Sequence, residues 1–213
     1  MPRPKVYDDD LRQRLLHRAA ECVSRGGVSA LSLRGLAADV GTSTSAVYGL
    51  FGNKAALLQA LFVEAFARFG SSQNSVPVTT DPLVDLEALG VAYRAHALAD
   101  PHLYAVMFGG ALASFEHDDA ANERASATFE PVLDAATRAG QARLLRTDDA
   151  QRVATALWAT LHGLVSLELL GFIGAPGDNT EALFDEAMHA AVRGWLARPP
   201  RASTLFGVSA GSR

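Results

Sequence analysis

The segment richest in metal-ligating residue types is Glu116-His117-Asp118-Asp119. A zinc site on a helix would need a second histidine at helical spacing, and this segment has no such partner. The chain also lacks a His-Glu-x-x-His motif and a phosphate-binding loop. We therefore interpret the segment as a solvated loop, and we expect no metal, no cofactor and no enzymatic activity.

A second group of residues could bind a small molecule through apolar contacts. Trp158 and His162 are four residues apart and share one face of a helix. Together with residues from other helices they could line an apolar pocket with a few polar tips. The alternative is that these side chains only fill the core, which for His162 is the first interpretation. The candidate set is Tyr93, Tyr104, Met107, Phe108, Phe129, Trp158, Leu161, His162 and Val165.

A third group, Ser43, Thr44 and Ser45, follows Gly41-Thr42 and lies between two short segments with helical apolar spacing. Two short helices joined by a tight turn form a helix-turn-helix, and the second helix stands out from the core. Small polar residues at its start reach base edges, and its backbone amides face phosphate. The pattern therefore predicts a DNA contact at 43–45.

Charge is unevenly distributed along the chain. Residues 1–60 hold eight Lys or Arg and five Asp or Glu, although the whole chain has a net charge of -4. A basic head on an acidic body is typical of a protein that touches nucleic acid with one end, and chance fluctuation is the alternative. The single cysteine, Cys22, excludes an intramolecular disulfide. Without an apolar run of about 20 residues, we expect a soluble, cytoplasmic protein with no membrane partner.

Helices must position these groups, and apolar periodicity predicts an all-α chain of about nine helices. The first begins at Asp8 or Asp9 after a mobile arm and stops at Gly26-Gly27; Ser32 opens the second. Ser43 caps the third, which ends at residue 50, and Asn53 caps a long fourth helix that includes Phe69. Beyond a polar stretch at 70–82, the pattern predicts helices at 82–99, 102–115, 121–140, 148–172 and 180–197, then a disordered tail at 199–213.

Residues 32–43 read Ser-Leu-Arg-Gly-Leu-Ala-Ala-Asp-Val-Gly-Thr-Ser, and residues 47–58 read Val-Tyr-Gly-Leu-Phe-Gly-Asn-Lys-Ala-Ala-Leu-Leu. Over about residues 10–60 the sequence resembles the TetR family of bacterial transcriptional regulators, with its Ser-x-Arg helix, Gly-containing turn, Tyr-x-x-Phe exit and Lys-x-x-Leu entry to the fourth helix. The resemblance implies a three-helix DNA-binding domain at 1–56 and a helical ligand-binding and dimerisation domain at 57–198.

The resemblance also implies roles for single residues. Thr44, Ser45 and Gly49 would face bases, and the Tyr48 hydroxyl and the Lys54 ammonium would each contact a phosphate. The remaining DNA-contact candidates are the turn residues Thr42 and Ser43, the backbone-holding residues Ser32 and Arg34, and Arg3 and Lys5, which either enter a flanking minor groove or make no contact.

Three positions depart from the family pattern. Leu50 stands where the family often has His, which removes one phosphate contact, and Thr42 replaces the usual Val of the turn. Gly49 offers no side chain to a base, so specificity would depend on the Thr44 methyl, water and DNA shape. In the C-terminal half, the run Trp158 to Gly163 resembles a TetR subgroup with a Trp…His-Gly motif.

Taken together, the resemblance implies a ligand-responsive regulator, expected to be a repressor. It would bind a palindromic operator as a homodimer and leave it when a small hydrophobic molecule binds. By family analogy, the helices at 148–172 and 180–197 would form the dimer interface. The alternative is a ligand-binding or protein-interaction module that does not bind an operator.

Overall fold

The computed structural model describes residues 5–110, 112, 115, 118–174 and 179–197, with side chains from residue 9 onward. Apart from an isolated β-bridge between Leu145 and Leu196, these residues form helices and their connections, which confirms the all-α prediction. The ten helices in the described ranges are α1 (Lys5–Ala30), α2 (Leu33–Val40), α3 (Thr44–Phe51), α4 (Lys54–Asn74), α5 (Pro82–Ala99), α6 (Pro101–Phe108), α7 (Asp119–Ala127), α8 (Glu130–Gln141), α9 (Ala150–Leu169) and α10 (Thr180–Arg193).

The first helix differs from its prediction at both ends. It begins at Lys5, ahead of the expected Asp8 or Asp9 cap, and only the part of the predicted arm before Lys5 lies outside the described residues. At its other end Gly27 has φ 70° and ψ -178°, a conformation that favours glycine. Gly27 therefore kinks α1, and a last turn continues to Ala30. The predicted tail at 199–213 also lies outside the described residues.

Prolines and glycines explain the other differences from the predicted helices. The segment expected at 121–140 is two helices, because Pro131 occupies the first turn of α8, where a continuing helix would need its N–H. The segment expected at 102–115 ends at Phe108, before Gly110 with φ 75°. By contrast, α5 spans 82–99 as predicted, with Asp81 capping its start.

The first four helices enclose an N-terminal core whose buried side chains include Leu16, Val23, Leu36, Val47 and Leu61. This core is not made by those helices alone. It is completed by four residues from later in the chain, which are Leu103, Val106, Leu112 and Ala121. Helix α6 thus packs on the N-terminal bundle, and it does so most extensively against α1.

Helix α4 contributes to both cores of the molecule. Its residues from Leu57 to Phe66 pack in the N-terminal core, and Phe69 packs in a C-terminal core formed with α5, α8, α9 and α10. The polar stretch from residue 70 begins within this helix, which continues to Asn74. No single described helix is long and apolar enough to cross a membrane; α3 and α4 reach that length only as a pair, across a 64° bend.

Candidate nucleic-acid interface and ligand cavity

Capping serines fix the geometry of the helix-turn-helix. Ser32 Oγ accepts from the Gly35 N–H at 3.0 Å and starts α2, and Ser43 Oγ accepts from the Ala46 N–H at 3.1 Å and starts α3. Between them Gly41 closes α2 in the left-handed region, with φ 73°. The side chains of Ser32 and Ser43 therefore hold the two helix starts, and their exposed hydroxyls remain at the surface.

Helix α3 has one buried and one open face. Val47 and Phe51 anchor it in the N-terminal core, whereas the side chain of Tyr48 is 52% exposed. Ser45 and Gly49 are also exposed, and an added Cβ at Gly49 would meet no atom within 4 Å. Of the residues predicted to face bases, Ser45 and Gly49 thus lie at the surface and Thr44 is half-buried. An exposed face is the requirement for a helix that enters a major groove.

Lys54 lies half-buried at the start of α4, where Asn53 Oδ1 accepts from the Ala56 N–H at 2.8 Å. Its ammonium donates to the Val28 carbonyl at 2.6 Å and so ties α4 to the last turn of α1. An ammonium has three donors, so two remain for a phosphate. Arg34 is exposed on α2; Arg3 and the side chain of Lys5 lie outside the described residues.

Part of the positive charge of the N-terminal bundle is paired within the protein. Arg18 bonds both Glu21 and Asp39, and these hydrogen bonds raise the pKa of the guanidinium. Arg14 bonds Asp10 at 3.1 Å. These pairs use two of the eight cations and three of the five anions of residues 1–60, so they leave the excess of cations in this segment in place.

A cavity of about 370 Å³ lies between α4, α5, α6 and α9, next to α7 and α8. Most of its wall is aromatic or aliphatic, and none of the lining residues in the described part of the chain is charged. The lining residues are Phe66, Phe69, Gln73, Leu89, Tyr93, Phe108, Ala125, Ser126, Thr128, Phe129, Val132, Gln151, Thr155, Trp158 and Leu161. A concave, mostly apolar site of this size is typical of small-molecule binding.

Three polar side chains form a buried cluster behind the cavity wall. The Tyr104 hydroxyl lies 2.8 Å from His162 Nδ1, and the Tyr93 hydroxyl lies 3.1 Å from both of these atoms. Burial lowers the pKa of His162 and raises the pKa of Tyr104. All three side chains are therefore uncharged at neutral pH, and they form hydrogen bonds with one another.

Five of the nine residues predicted for a ligand site line this cavity: Tyr93, Phe108, Phe129, Trp158 and Leu161. The other four lie elsewhere. Tyr104 and His162 stand behind Tyr93, Val165 is fully buried in the C-terminal core, and Met107 packs against both cores. These four side chains support the cavity rather than line it.

Sequence reasoning missed the contribution of α4 and α8 to the cavity wall. Phe66 and Phe69 line it from α4, Val132 lines it from α8, and Gln73 lies on the last turn of α4. The phenylalanines could have been found from their helical spacing. Gln73 could not, because it belongs to a stretch whose composition indicates a turn-rich connection.

Helix α6 joins the cavity to the N-terminal bundle. Phe108 at its end lines the cavity, and His102 near its start lies with Nδ1 2.9 Å from the Ser24 hydroxyl of α1. Asp100, which caps α6, lies within 4.0 Å of His17 on α1 and Arg68 on α4. A displacement of α6 at the cavity would therefore change its contacts with α1 and α4.

Other candidate chemistry finds no support in the described residues. No group of three or more His, Cys, Asp or Glu in the described ranges is placed to hold a metal ion. Glu116 and His117 lie outside those ranges. The sequence also contains a Gly-x-Ser-x-Gly string at 207–211, which likewise lies outside the described residues.

Comparison with known proteins places this architecture in one class. Residues 15–61 match the model of bacterial regulatory proteins of the tetR family, and residues 86–191 match a tetracyclin repressor-like C-terminal domain. The chain therefore belongs to the TetR family. It is a DNA-binding transcriptional regulator with a ligand-binding C-terminal domain.

Solved structures share the whole architecture. A protein of unknown function from a Rhodococcus species is 29% identical, with a TM-score of 0.74, and the match covers 88% of this chain and 96% of that one. A TetR family regulator from Marinobacter aquaeolei is 19% identical, with a TM-score of 0.77 and 92% and 100% coverage. The TetR family regulator PfmR from Thermus thermophilus is 19% identical, with a TM-score of 0.70 and 87% and 100% coverage. No curated protein matches the chain.

Proposed function

We propose that this regulator is a repressor that binds a palindromic operator as a homodimer and leaves it when a small hydrophobic molecule enters the cavity. The open face of α3 carries this proposal. Tyr48 is 52% exposed although Val47 and Phe51 on the same short helix are buried. An aromatic hydroxyl held outward beside Ser45 and Gly49 is placed to contact DNA rather than to complete a core.

A dimer supplies what one short helix lacks. A single α3 spans too few bases for a specific site, whereas two copies related by a twofold axis read two half-sites. The far end of the molecule offers an apolar surface for pairing at the end of α9 and on α10. Its side chains are Leu167, Leu170, Phe172 and Leu183, which are between 43% and 75% exposed. Phe184, the next residue of α10, packs inside the protomer.

Release by ligand requires only modest coupling between the two ends. A tenfold loss of operator affinity corresponds to about 1.4 kcal/mol of preference for the non-binding state. The cavity walls include Phe66 and Phe69 of α4 and Phe108 of α6, and both helices contact the N-terminal bundle. A molecule that displaces these side chains acts on the helices that set the spacing of the two recognition helices.

The test is a titration of the protein into labelled DNA from upstream of its own gene, against scrambled DNA, at about 150 mM salt. We expect specific binding with two protomers per palindrome. Tyr48→Phe and Lys54→Ala should both weaken binding, and Lys54→Ala should lower the salt slope by about one per protomer. Arg124→Ala is the matched control, since it removes an exposed cation of α7, outside the helix-turn-helix and outside the proposed dimer helices.

Thermal unfolding of each variant separates lost contacts from lost structure, because Lys54 also holds the Val28 carbonyl. Equal affinity for both DNAs, followed by an empty genome-wide pull-down, would contradict operator binding. The remaining function would then be the alternative, a ligand-binding or protein-interaction module. A ligand that tightens operator binding would contradict release by ligand, and it would show that the regulator depends on that ligand as a corepressor.

A further inference from the structure

One polar side chain in the cavity wall lacks a hydrogen-bond partner. Gln73 is only 5% exposed, and its Nε2 has no acceptor among the described residues. The same side chain lines the cavity of about 370 Å³ and an adjoining one of about 240 Å³. A buried amide donor without an acceptor is unfavourable, so an acceptor supplied by a ligand would be favoured at this point.

Of the other polar residues of the wall, Ser126 is exposed to solvent, and the rest have partners within the protein. The Thr128 hydroxyl donates to the Ala125 carbonyl at 2.7 Å, and the Gln151 amide lies 3.4 Å from the Thr155 hydroxyl. The Tyr93 hydroxyl belongs to the cluster with His162. Gln73 is therefore the buried wall residue, within the described part of the chain, whose amide is left to a ligand.

The rest of the wall determines the charge of that ligand. Phe69, Leu89, Phe108 and Trp158 are apolar, and none of the described residues that line the cavity is Asp, Glu, Lys, Arg or His. An ionised ligand would lose its hydration without gaining a counter-charge, which is strongly unfavourable. A neutral molecule keeps the apolar contacts and needs only one acceptor.

We propose that the cavity binds an uncharged, largely apolar molecule bearing a carbonyl-type acceptor, such as a ketone, an ester or a lactone, which accepts a hydrogen bond from Gln73 Nε2. This inference rests on the proposed role of the cavity as the effector site. It adds the chemical class of the effector and the residue that selects it.

The position of Gln73 links recognition to response. It lies on the last turn of α4, and Lys54, a predicted phosphate contact, begins the same helix. A hydrogen bond from a ligand to Gln73 therefore acts on α4, which is also one of the four helices of the N-terminal bundle. Replacing Gln73 should therefore change which ligands the protein selects.

The experiment compares three fluorescent probes by equilibrium titration into the full chain. They are a dimethylaminonaphthyl ethyl ketone, the same dimethylaminonaphthalene without its ketone, and the matching naphthoate, in which a carboxylate replaces the ketone. We expect the wild type to bind the ketone roughly tenfold more tightly than the ketone-free dimethylaminonaphthalene, which is the range for one buried hydrogen bond. The naphthoate should bind more weakly than both.

Gln73→Leu should abolish the preference for the ketone and keep the affinity for the ketone-free probe, because leucine preserves an apolar wall of similar volume. It should also raise the melting temperature of the ligand-free protein, since it removes the unpaired buried donor. Gln151→Leu is the matched control: it alters an exposed amide of the same cavity and should keep the ketone preference.

The possible failures are distinguishable. The role of Gln73 is overturned if the wild type binds the ketone and the ketone-free probe equally, or if the ketone preference survives Gln73→Leu. Either result leaves the cavity as a ligand site. If the wild type binds none of the three probes, the cavity is overturned as the effector site, and the inference fails with it. Tight naphthoate binding overturns the neutral class of ligand.

Discussion

The ion pair between Arg94 and Glu168 offers the sharpest test of how the C-terminal domain is held together. Arg94 on α5 donates two hydrogen bonds to the Glu168 carboxylate on α9, at 2.8 and 2.6 Å. The guanidinium also lies over the Phe184 ring of α10, 5.5 Å from its centroid. One residue pair thus joins three helices, and the perturbation is Glu168→Gln.

The expected cost follows from burial. Removing one partner of a buried ion pair costs about 3–5 kcal/mol, because the remaining charge is left without compensation. The side chains of Arg94 and Glu168 are 16% and 13% exposed, so water screens part of the loss. We therefore expect a destabilisation of about 2–3 kcal/mol for Glu168→Gln. For a chain of this size that corresponds to a decrease of about 4–12 °C in melting temperature.

Urea unfolding followed by circular dichroism, at fixed protein concentration, measures this cost. Arg94→Met combined with Glu168→Leu should be less destabilised than Glu168→Gln alone, since no buried charge remains. Asp10→Asn is the control, because it breaks the exposed Arg14 pair and should cost less than about 0.5 kcal/mol. A cost for Glu168→Gln no larger than that of the control would refute the reasoning from burial.

Three further predictions concern pH and the recognition helix. The Arg94 hydrogen bonds hold the pKa of Glu168 below its usual 4.5. The stability from this pair is present above about pH 4.5 and is lost as the pH falls through the lower folded-state pKa, so the stability difference between wild type and Glu168→Gln should shrink in acid urea titrations. Burial lowers the pKa of His162 below 6.5, so proton uptake by the unfolded state should cost stability as the pH falls below 6.5; an NMR titration of His162 that shows an unshifted pKa would contradict this. Gly49→Ala should stabilise the exposed helix α3 by about 0.5–1 kcal/mol in thermal unfolding. It should also weaken operator binding in a fluorescence anisotropy titration, and unchanged affinity would show that Gly49 does not face bases.

Local signals predicted the fold wherever both ends of an element carry them. Helix α5 was predicted residue for residue because Asp81 caps its start and Asp100-Pro101 begins the next helix. The break between α7 and α8 was missed although Pro131 marks it, because the surrounding apolar spacing suggests one continuous helix. The start of α1 was also misjudged, since the acidic residues 8–10 resemble a cap but lie inside the helix.

The ligand cavity was predictable only in part. Aromatic spacing on α9 identified Trp158, but spacing along one helix does not say which neighbours face it. Tyr104 was a candidate for the wall and instead bonds His162 behind it, and for His162 a core position was the first interpretation. Gln73 is a ligand candidate because it is buried in the folded chain, and the packing of distant helices leaves no trace in the sequence around residue 73.

The completion of the N-terminal core by Leu103, Val106, Leu112 and Ala121 has a consequence for engineering this regulator. A chimera made by cutting after residue 56 and grafting the DNA-binding head onto another body would leave a gap where α6 and α7 had packed. Under the proposed function, operator specificity is expected to transfer with the exposed residues of α3, whereas exchange of the whole head requires a body whose sixth helix fits α1. In evolutionary terms, head and body of this chain are expected to change together at that contact.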